Sequence, residues 1–274
     1  MLDIQTNNAA LSAQKNLASN QKLLAGSFQR LSSGYRVNSA ADDAAGLAIS
    51  ESMKSQIRSY TVAQRNAADG QSMAQTAEGA LGDVHDIMGR MRELAMQSSN
   101  GSLGSTDRGY LDTEFSSLKA EVTRIQGSSK FNGKQLVNAT ASSVTFQVGL
   151  NNTASDQITL TFGGVGLTAI LATGANVSSA TTALAALGTI DNAIQSVSTA
   201  RAKFGTAMNR MDVATSAIQT MQLNITAANS RIRDVDVASE TANLSRNQVL
   251  TQAGTSVLAQ ANQLPQLAIS LIGR

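Results

Sequence analysis

Two adjacent carboxylates, Asp42 and Asp43, sit in LSSGYRVNSAADDAAGLAISESMKSQ, residues 31–56. Such a pair could share a proton in acid–base chemistry or begin a metal site. Either use requires the carboxyls to converge on one point, yet consecutive residues of a helix point about 100° apart. A metal would need further ligands, and no histidine lies nearby. Ser39-Ala-Ala-Asp42 instead matches the Ser/Thr-x-x-acid start of a helix. There the serine oxygen accepts an orphan backbone N–H and the acid reaches back to the cap. The positive end of the helix dipole favours both aspartates. Ser39 and Asp42 are therefore expected to cap a helix.

A second candidate is Gly164-Val-Gly166-Leu-Thr-Ala169, which follows a strand-like run as a dinucleotide fingerprint does, with Asp191 at a loosely suitable distance. No series of alternating strands and helices surrounds it to build a parallel sheet, so a flexible turn is the simpler reading. His85 is the only histidine, which excludes paired-histidine zinc spacing. Its neighbours Asp83 and Asp86 read as solvated helix charges. With no cysteine there is neither a disulfide nor a thiolate metal site. Met88, Met91, Met96, Met208, Met211 and Met221 fall at helical spacing, as adaptable core and interface filler. No catalytic residue, cofactor or metal is expected, and the chain reads as a non-enzyme.

Composition points to what must position these residues. One proline, no tryptophan and 3% aromatic residues in 274 leave alanine, serine, glutamine and asparagine to recur throughout. A compact enzyme of this size carries a larger aromatic and branched core, so small side chains between close-packed helices fit better. A net charge of +2 sets up no field for nucleic acid. Phe28 and Tyr35 are a thin stacking platform beside Lys15, Lys22, Arg30 and Arg36. No stretch approaches the roughly 20 apolar residues that span a bilayer, so no membrane insertion is expected. The opening MLDIQTNNAALSAQKN lacks the basic start and apolar run of a secretory signal.

Near the N-terminus, Ile4, Leu11, Ala18 and Ala25 form one row of seven-residue spacing, and Ala10, Leu17, Leu24 and Leu31 form its neighbour. At the other end Leu250, Val257, Leu264 and Leu271 lie seven apart. Such spacing holds one helix face toward a partner, and each chain end is the other's nearest candidate. Pro265 falls inside the second pattern and is expected to kink or end that helix. Helical patterns also run over residues 42–100, 108–126 and about 178–228. Between them, KFNGKQLV carries an Asn-Gly hairpin signal, and SSVTFQVGL and DQITLTF alternate as strands do. The expected fold is mainly α, a long helical rod with coiled-coil termini and a small β-hairpin region in the middle of the chain. Its parts are an inner coiled coil from 1–40 and 231–274, and a rod from 41–177 and 178–230.

LSSGYRVNSAADDAAGLAISESMKSQ resembles the N-terminal signature of bacterial flagellins, and FNGKQLV, TFQVG and ANSRIRDVDVASETANLSRNQVLTQAGTSVLAQANQLPQLAISLI are similar to the rest of that family's framework. The resemblance covers roughly residues 1–165 and 180–274. It implies a structural subunit that polymerises into the helical filament of the bacterial flagellum for motility, as a homo-oligomer outside the cell. In that setting Ile4, Leu11, Leu17, Leu24, Leu31, Leu250, Val257, Leu264 and Leu271 would form the inner seam. The large variable domains of longer relatives would lie between Gly163 and Val177, so this chain looks like a minimal type. The resemblance further implies export unfolded through the flagellar type III apparatus without a cleaved signal, a chaperone on the C-terminal segment, and cap and hook-junction partners. Arg90, Leu94 and Glu114 match positions that an innate immune Toll-like receptor reads in some flagellins, although Gly89 departs from the larger polar residue of many relatives. A hook–filament junction protein and an adhesin are the alternatives.

Overall fold

The computed structural model describes residues 6–172 and 174–272, with side chains up to residue 263. In chain order the elements are α1 (Asn8–Ser33), α2 (Ala44–Ser99), α3 (Ser105–Ser128), β1 (Lys130–Phe131), β2 (Lys134–Gln135), β3 (Ser142–Gln147), β4 (Gln157–Phe162), α4 (Thr168–Leu171), α5 (Ala180–Arg233) and α6 (Val237–Ile272). The fold is mainly helical with a small antiparallel β region in the middle, as the periodicity predicts. Two compact units divide it: Met1–Ser55 with Asn224–Arg274, and Gln56–Leu223.

In the first unit α1 and α6 pair antiparallel. The Asn7 side-chain amide donates to the Ala261 carbonyl at 2.7 Å at one end, and Arg30 meets Glu240 at 3.7 Å at the other. The protected positions of α1 are Ala10, Ala13, Leu17, Asn20, Leu24, Ser27 and Leu31; those of α6 are Glu240, Leu244, Asn247, Thr251, Gly254, Leu258 and Ala261. Both series advance by alternate steps of three and four, the spacing that keeps one seam facing a partner. A methyl group on Gly254 would sit 3.4 Å from the Leu17 side chain, so small residues let the backbones approach. Helix α1 ends on Gly34 at φ 74°, whose N–H returns to the Arg30 carbonyl. Helix α6 does not end at Pro265, one of the two outcomes expected there, but continues to Ile272. A proline removes one N–H from the ladder, and the turns flanking it remain helical in this 36-residue element.

In the second unit α2 and α5 run antiparallel, joined by Gln71 to Asp212 at 3.0 Å, Arg201 to Glu78 at 2.6 Å and Arg92 to Asp191 at 2.6 Å. Buried positions on α2 include Ala63, Ala67, Ala74, Ala77, Leu81, Val84, Met88, Met91 and Ala95, and on α5 Ala183, Ala186, Ile190, Ala193, Val197, Phe204, Ala207, Met211 and Ile218. The register follows from Gly70, where a methyl group would lie 2.6 Å from the Met211 side chain. Counting turns from that contact, Ala77 stands level with Phe204 and Met88 with Ala193. At these two levels a large residue of one helix stands opposite a small one, whereas Val84 with Val197 and Met91 with Ile190 set two large buried residues level.

Helix α3 contributes Phe115, Val122 and Ile125 to the same core. The Asn-Gly step forms the β1–β2 turn, with φ 46° at Asn132 and 79° at Gly133, the left-handed pair that tight hairpins require. Strands β3 and β4 pair antiparallel from Ser142↔Phe162 to Gln147↔Gln157. Ile158, Leu160 and Phe162 point inward, and Phe162 stacks on Phe204 at 5.3 Å. The opposite face pairs hydroxyls, Ser143 with Thr161 and Thr145 with Thr159.

Replacing Leu81, which is fully buried, by alanine should cost about 2–5 kcal/mol in urea unfolding followed by circular dichroism. Leu184→Ala, at an exposed position of α5, should shift stability by no more than about 0.5 kcal/mol.

Candidate functional site

The loops at the inner ends of α1 and α6 are tied together. The Arg36 N–H donates to the Arg233 carbonyl at 2.6 Å, and the Val235 N–H to the Gly34 carbonyl at 3.0 Å. The Arg233 guanidinium lies 4.5 Å from the Tyr35 ring centre and pairs with Glu51 at 2.6 Å. The sequence leaves Arg36 free for an acid on a neighbour; in the structure its guanidinium donates to the Ile232 carbonyl at 2.6 Å.

The aspartate pair sits in this region, and its two members have different tasks. Asp42 accepts the Ser39 N–H at 2.9 Å, the Ser39 hydroxyl at 2.9 Å and the Asn38 N–H at 3.2 Å. Asp43 accepts the Gly46 N–H at 2.8 Å, while the Asp43 carbonyl receives the Leu47 N–H. The helix cap is therefore Asp43, one residue before Ala44, and not Ser39. The Asp42 N–H donates to the Ser39 carbonyl, closing a turn ahead of the helix. That turn leaves the Ser39 hydroxyl donating to Asp42 instead of receiving a helical amide. The backbone N–H and then the hydroxyl of Ser39 hold the Asp42 carboxyl below its ordinary value.

The terminal helices also carry the largest departure from the expected seam. Leu17, Leu24 and Leu31 do face α6, but Leu11 is 61% exposed. On α6 the seam belongs to Leu244, Thr251 and Leu258, while Leu250 and Val257 point away from it, with Val257 56% exposed. Ile4 lies outside the described residues, as do the side chains of Leu264 and Leu271. The seam mixes Leu17, Leu24, Leu31, Leu244 and Leu258 with alanine, glycine, serine, asparagine and threonine, and a second set of large apolar side chains flanks it. Leu23, Phe28 and Val249 join the outward set. Within the seam, Glu240 is buried beside Arg30 and its Oε1 has no hydrogen-bond partner.

Arg90 pairs with Glu93 at 2.9 Å and Glu114 at 2.8 Å on the surface of the second unit. Leu94 is not presented beside them but buried at 1% exposure. The Gly164-to-Ala169 stretch follows an antiparallel strand and leads into a four-residue helix, so the strand–turn–helix frame of a phosphate-binding turn is not built. Among the described residues no group of three or more acids or histidines could hold a metal, and no described helix is long and apolar enough to cross a membrane.

Two helical pairs with heptad seams, one of them leaving a row of large apolar residues outward, define a structural subunit. Residues 4–142 match the bacterial flagellin N-terminal helical region, and residues 187–272 match the C-terminal helical region. Over 98% of this chain and 99% of the relative, it is 42% identical to a flagellin of Halalkalibacterium halodurans. It is 38% identical, with the same coverage of both chains, to the flagellar filament 33 kDa core protein of Treponema phagedenis. The chain belongs to the bacterial flagellin family. A solved structure of a putative flagellar hook-associated protein from Vibrio parahaemolyticus shares its fold, with a TM-score of 0.59 and 16% identity over 70% of this chain and 100% of the other.

Asp43→Ala should lower stability by about 1 kcal/mol in chemical unfolding, the usual cost of a lost helix cap. In a carbon-13 carboxyl titration Asp42 should titrate below the ordinary carboxylate value, and Ser39→Ala should move its midpoint upward. Because the folded value is depressed, the stabilisation from Asp42 is present above its unfolded value and is lost as pH falls through the folded one.

Proposed function

We propose that this chain polymerises into the helical filament of the bacterial flagellum, outside the cell, as the subunit that drives motility when the filament turns. The observation that carries this reading is the outward apolar set of Leu11, Leu250 and Val257, which the α1–α6 seam leaves uncovered. One chain cannot cover those side chains with its own helix pair, and further copies of the same pair offer the matching surface. A head-to-tail contact whose rotation does not close generates an open helical array. Ile4, Leu264 and Leu271 extend the same heptad rows and belong to that assembly surface. Residues 1–40 with 231–274 then form the inner layer and 41–230 the outer one, with apolar area buried between copies stabilising the array.

Family membership supports further partners: a chaperone on the C-terminal segment, the type III export apparatus acting without a cleaved signal, and cap and hook-junction proteins at the filament ends. The exposed Arg90 and Glu114 are the candidate contacts for a Toll-like receptor. Leu94 would support them from beneath rather than touch the receptor.

The test is Val257→Glu. Monomer seeded with short filament fragments should elongate in light scattering and electron microscopy, and the variant should not, while its circular dichroism and thermal unfolding match the parent. Normal filaments from Val257→Glu would refute the assignment of this surface to assembly.

A further inference from the structure

The second unit carries a groove between β4 and α5 that the assembly reading leaves unused. Strand β4 is paired on one side only, with β3. The Val148 N–H donates to the Asp156 carbonyl at 2.9 Å, one step beyond the Gln147↔Gln157 pair. Antiparallel ladders alternate, so the odd-numbered residues of both strands direct their backbone groups away from the partner strand. Two contacts agree with that phase. The Gln147 carbonyl on the β3 edge accepts the Asn66 amide at 3.0 Å. The Gly163 N–H, just past β4, donates to the Leu136 carbonyl at 2.9 Å. On the same edge Thr159 and Thr161 turn N–H and C=O outward, and no described residue pairs with those groups.

Across from this edge lies α5. Two adjoining hollows of about 520 and 440 Å³ separate them, sharing Thr161, Thr199 and Lys203. Arg210 lines the first hollow as well. No carboxylate of the described residues pairs with Lys203 or Arg210, whereas Arg201 on the same helix is bound to Glu78. The two free cations stand seven residues apart on α5, about 10 Å along its axis, between the two-residue (about 7 Å) and four-residue (about 13 Å) repeats of one face of an extended strand, a difference that the long lysine and arginine stems can span.

We propose that this groove is a strand-addition site for an extended acidic peptide of a partner protein. The peptide lies beside β4 as a third strand, its backbone bonds Thr159 and Thr161, and its carboxylates on alternate residues meet Lys203 and Arg210. Main-chain bonds supply the affinity in this mode and side-chain pockets the specificity. Charge selects the occupant: two unpaired cations beside an open edge disfavour a neutral or basic strand. A second copy is a poor source of that strand. The chain's own alternating acidic stretch, Asp234-Val-Asp236, is engaged, because Val235 bonds Gly34 and Asp236 accepts the Ala238 and Ser239 N–H groups.

The experiment is a fluorescence anisotropy titration of full-length monomer with a blocked, labelled seven-residue peptide alternating aspartate and valine. Saturable binding is expected. It should weaken about tenfold for the Lys203→Glu/Arg210→Glu protein, which loses two exposed ion pairs. It should weaken comparably for a peptide methylated on alternate amide nitrogens, which loses main-chain bonds. Both positions are exposed, so the double variant should keep the parental melting temperature. The proposal falls if no saturable binding occurs, if charge reversal leaves binding unchanged, or if the methylated peptide binds equally well, since attraction would then be electrostatic alone. It also falls if the peptide does not bind while the charge-reversed protein fails to extend filament seeds, which would assign the groove to a contact between copies.

Discussion

A pair of helices can share only one seam, and the choice of residues for that seam governs this protein. Between α1 and α6 it goes to five leucines interleaved with alanine, glycine, serine, asparagine and threonine. Small side chains bring the backbones close, but they bury little apolar area at about 25 cal/mol per Å². Other large apolar residues are left outside: Leu11, Leu23 and Phe28 on α1, and Val249, Leu250 and Val257 on α6. In the second unit the allocation is reversed. Leu81, Met88, Met91, Ile190, Phe204 and Met211 point inward, so α2, α5 and the β3–β4 hairpin close a core within one chain.

That contrast assigns different work to the two units. The second is stable through its own packing and needs no neighbour to cover its core. The first holds outward rows of apolar side chains that its own helix pair leaves uncovered. Between the helices of the first unit, the paired loops at Gly34–Arg36 and Arg233–Val235 bind each other through main-chain bonds and the Tyr35–Arg233 stack. Those bonds fix where α1 ends relative to where α6 begins, and so hold the outward rows in register. The contact between the buried Glu240 and the partly exposed Arg30 adds a polar element to the seam, the kind of group that specifies register at some cost in stability.

Much of this was legible from residue spacing. The heptads of both termini, the helical runs, the Asn132-Gly133 turn and the two alternating strands all follow from local pattern, because each depends on neighbours within a few residues. The phase of the α6 seam did not follow. Thr251 interrupts the row between Leu244 and Leu258, so a search for apolar repeats selects Leu250 and Val257, the face that remains exposed. Reading Gly254 as a close-approach position would have pointed to the correct face. The helix cap was misplaced to Ser39 because Ser-x-x-Asp scores the pattern without asking which acid the first helical amides reach. Leu94 lies on a buried row that only the packing of α2 reveals, and the Arg36 contact with a carbonyl 196 residues away has no local signal.

The most direct measurement is the reactivity of single thiols placed on the outward rows. The chain contains no cysteine, so Leu11→Cys and Val257→Cys proteins each report one position, and maleimide labelling rates can be compared between monomer and seeded polymer. If copies of the chain cover these rows, labelling should be fast in the monomer and strongly suppressed in the polymer at both positions. Equal rates in the two states would contradict the account, because the apolar rows would then remain exposed after assembly and something other than these surfaces would hold the polymer together.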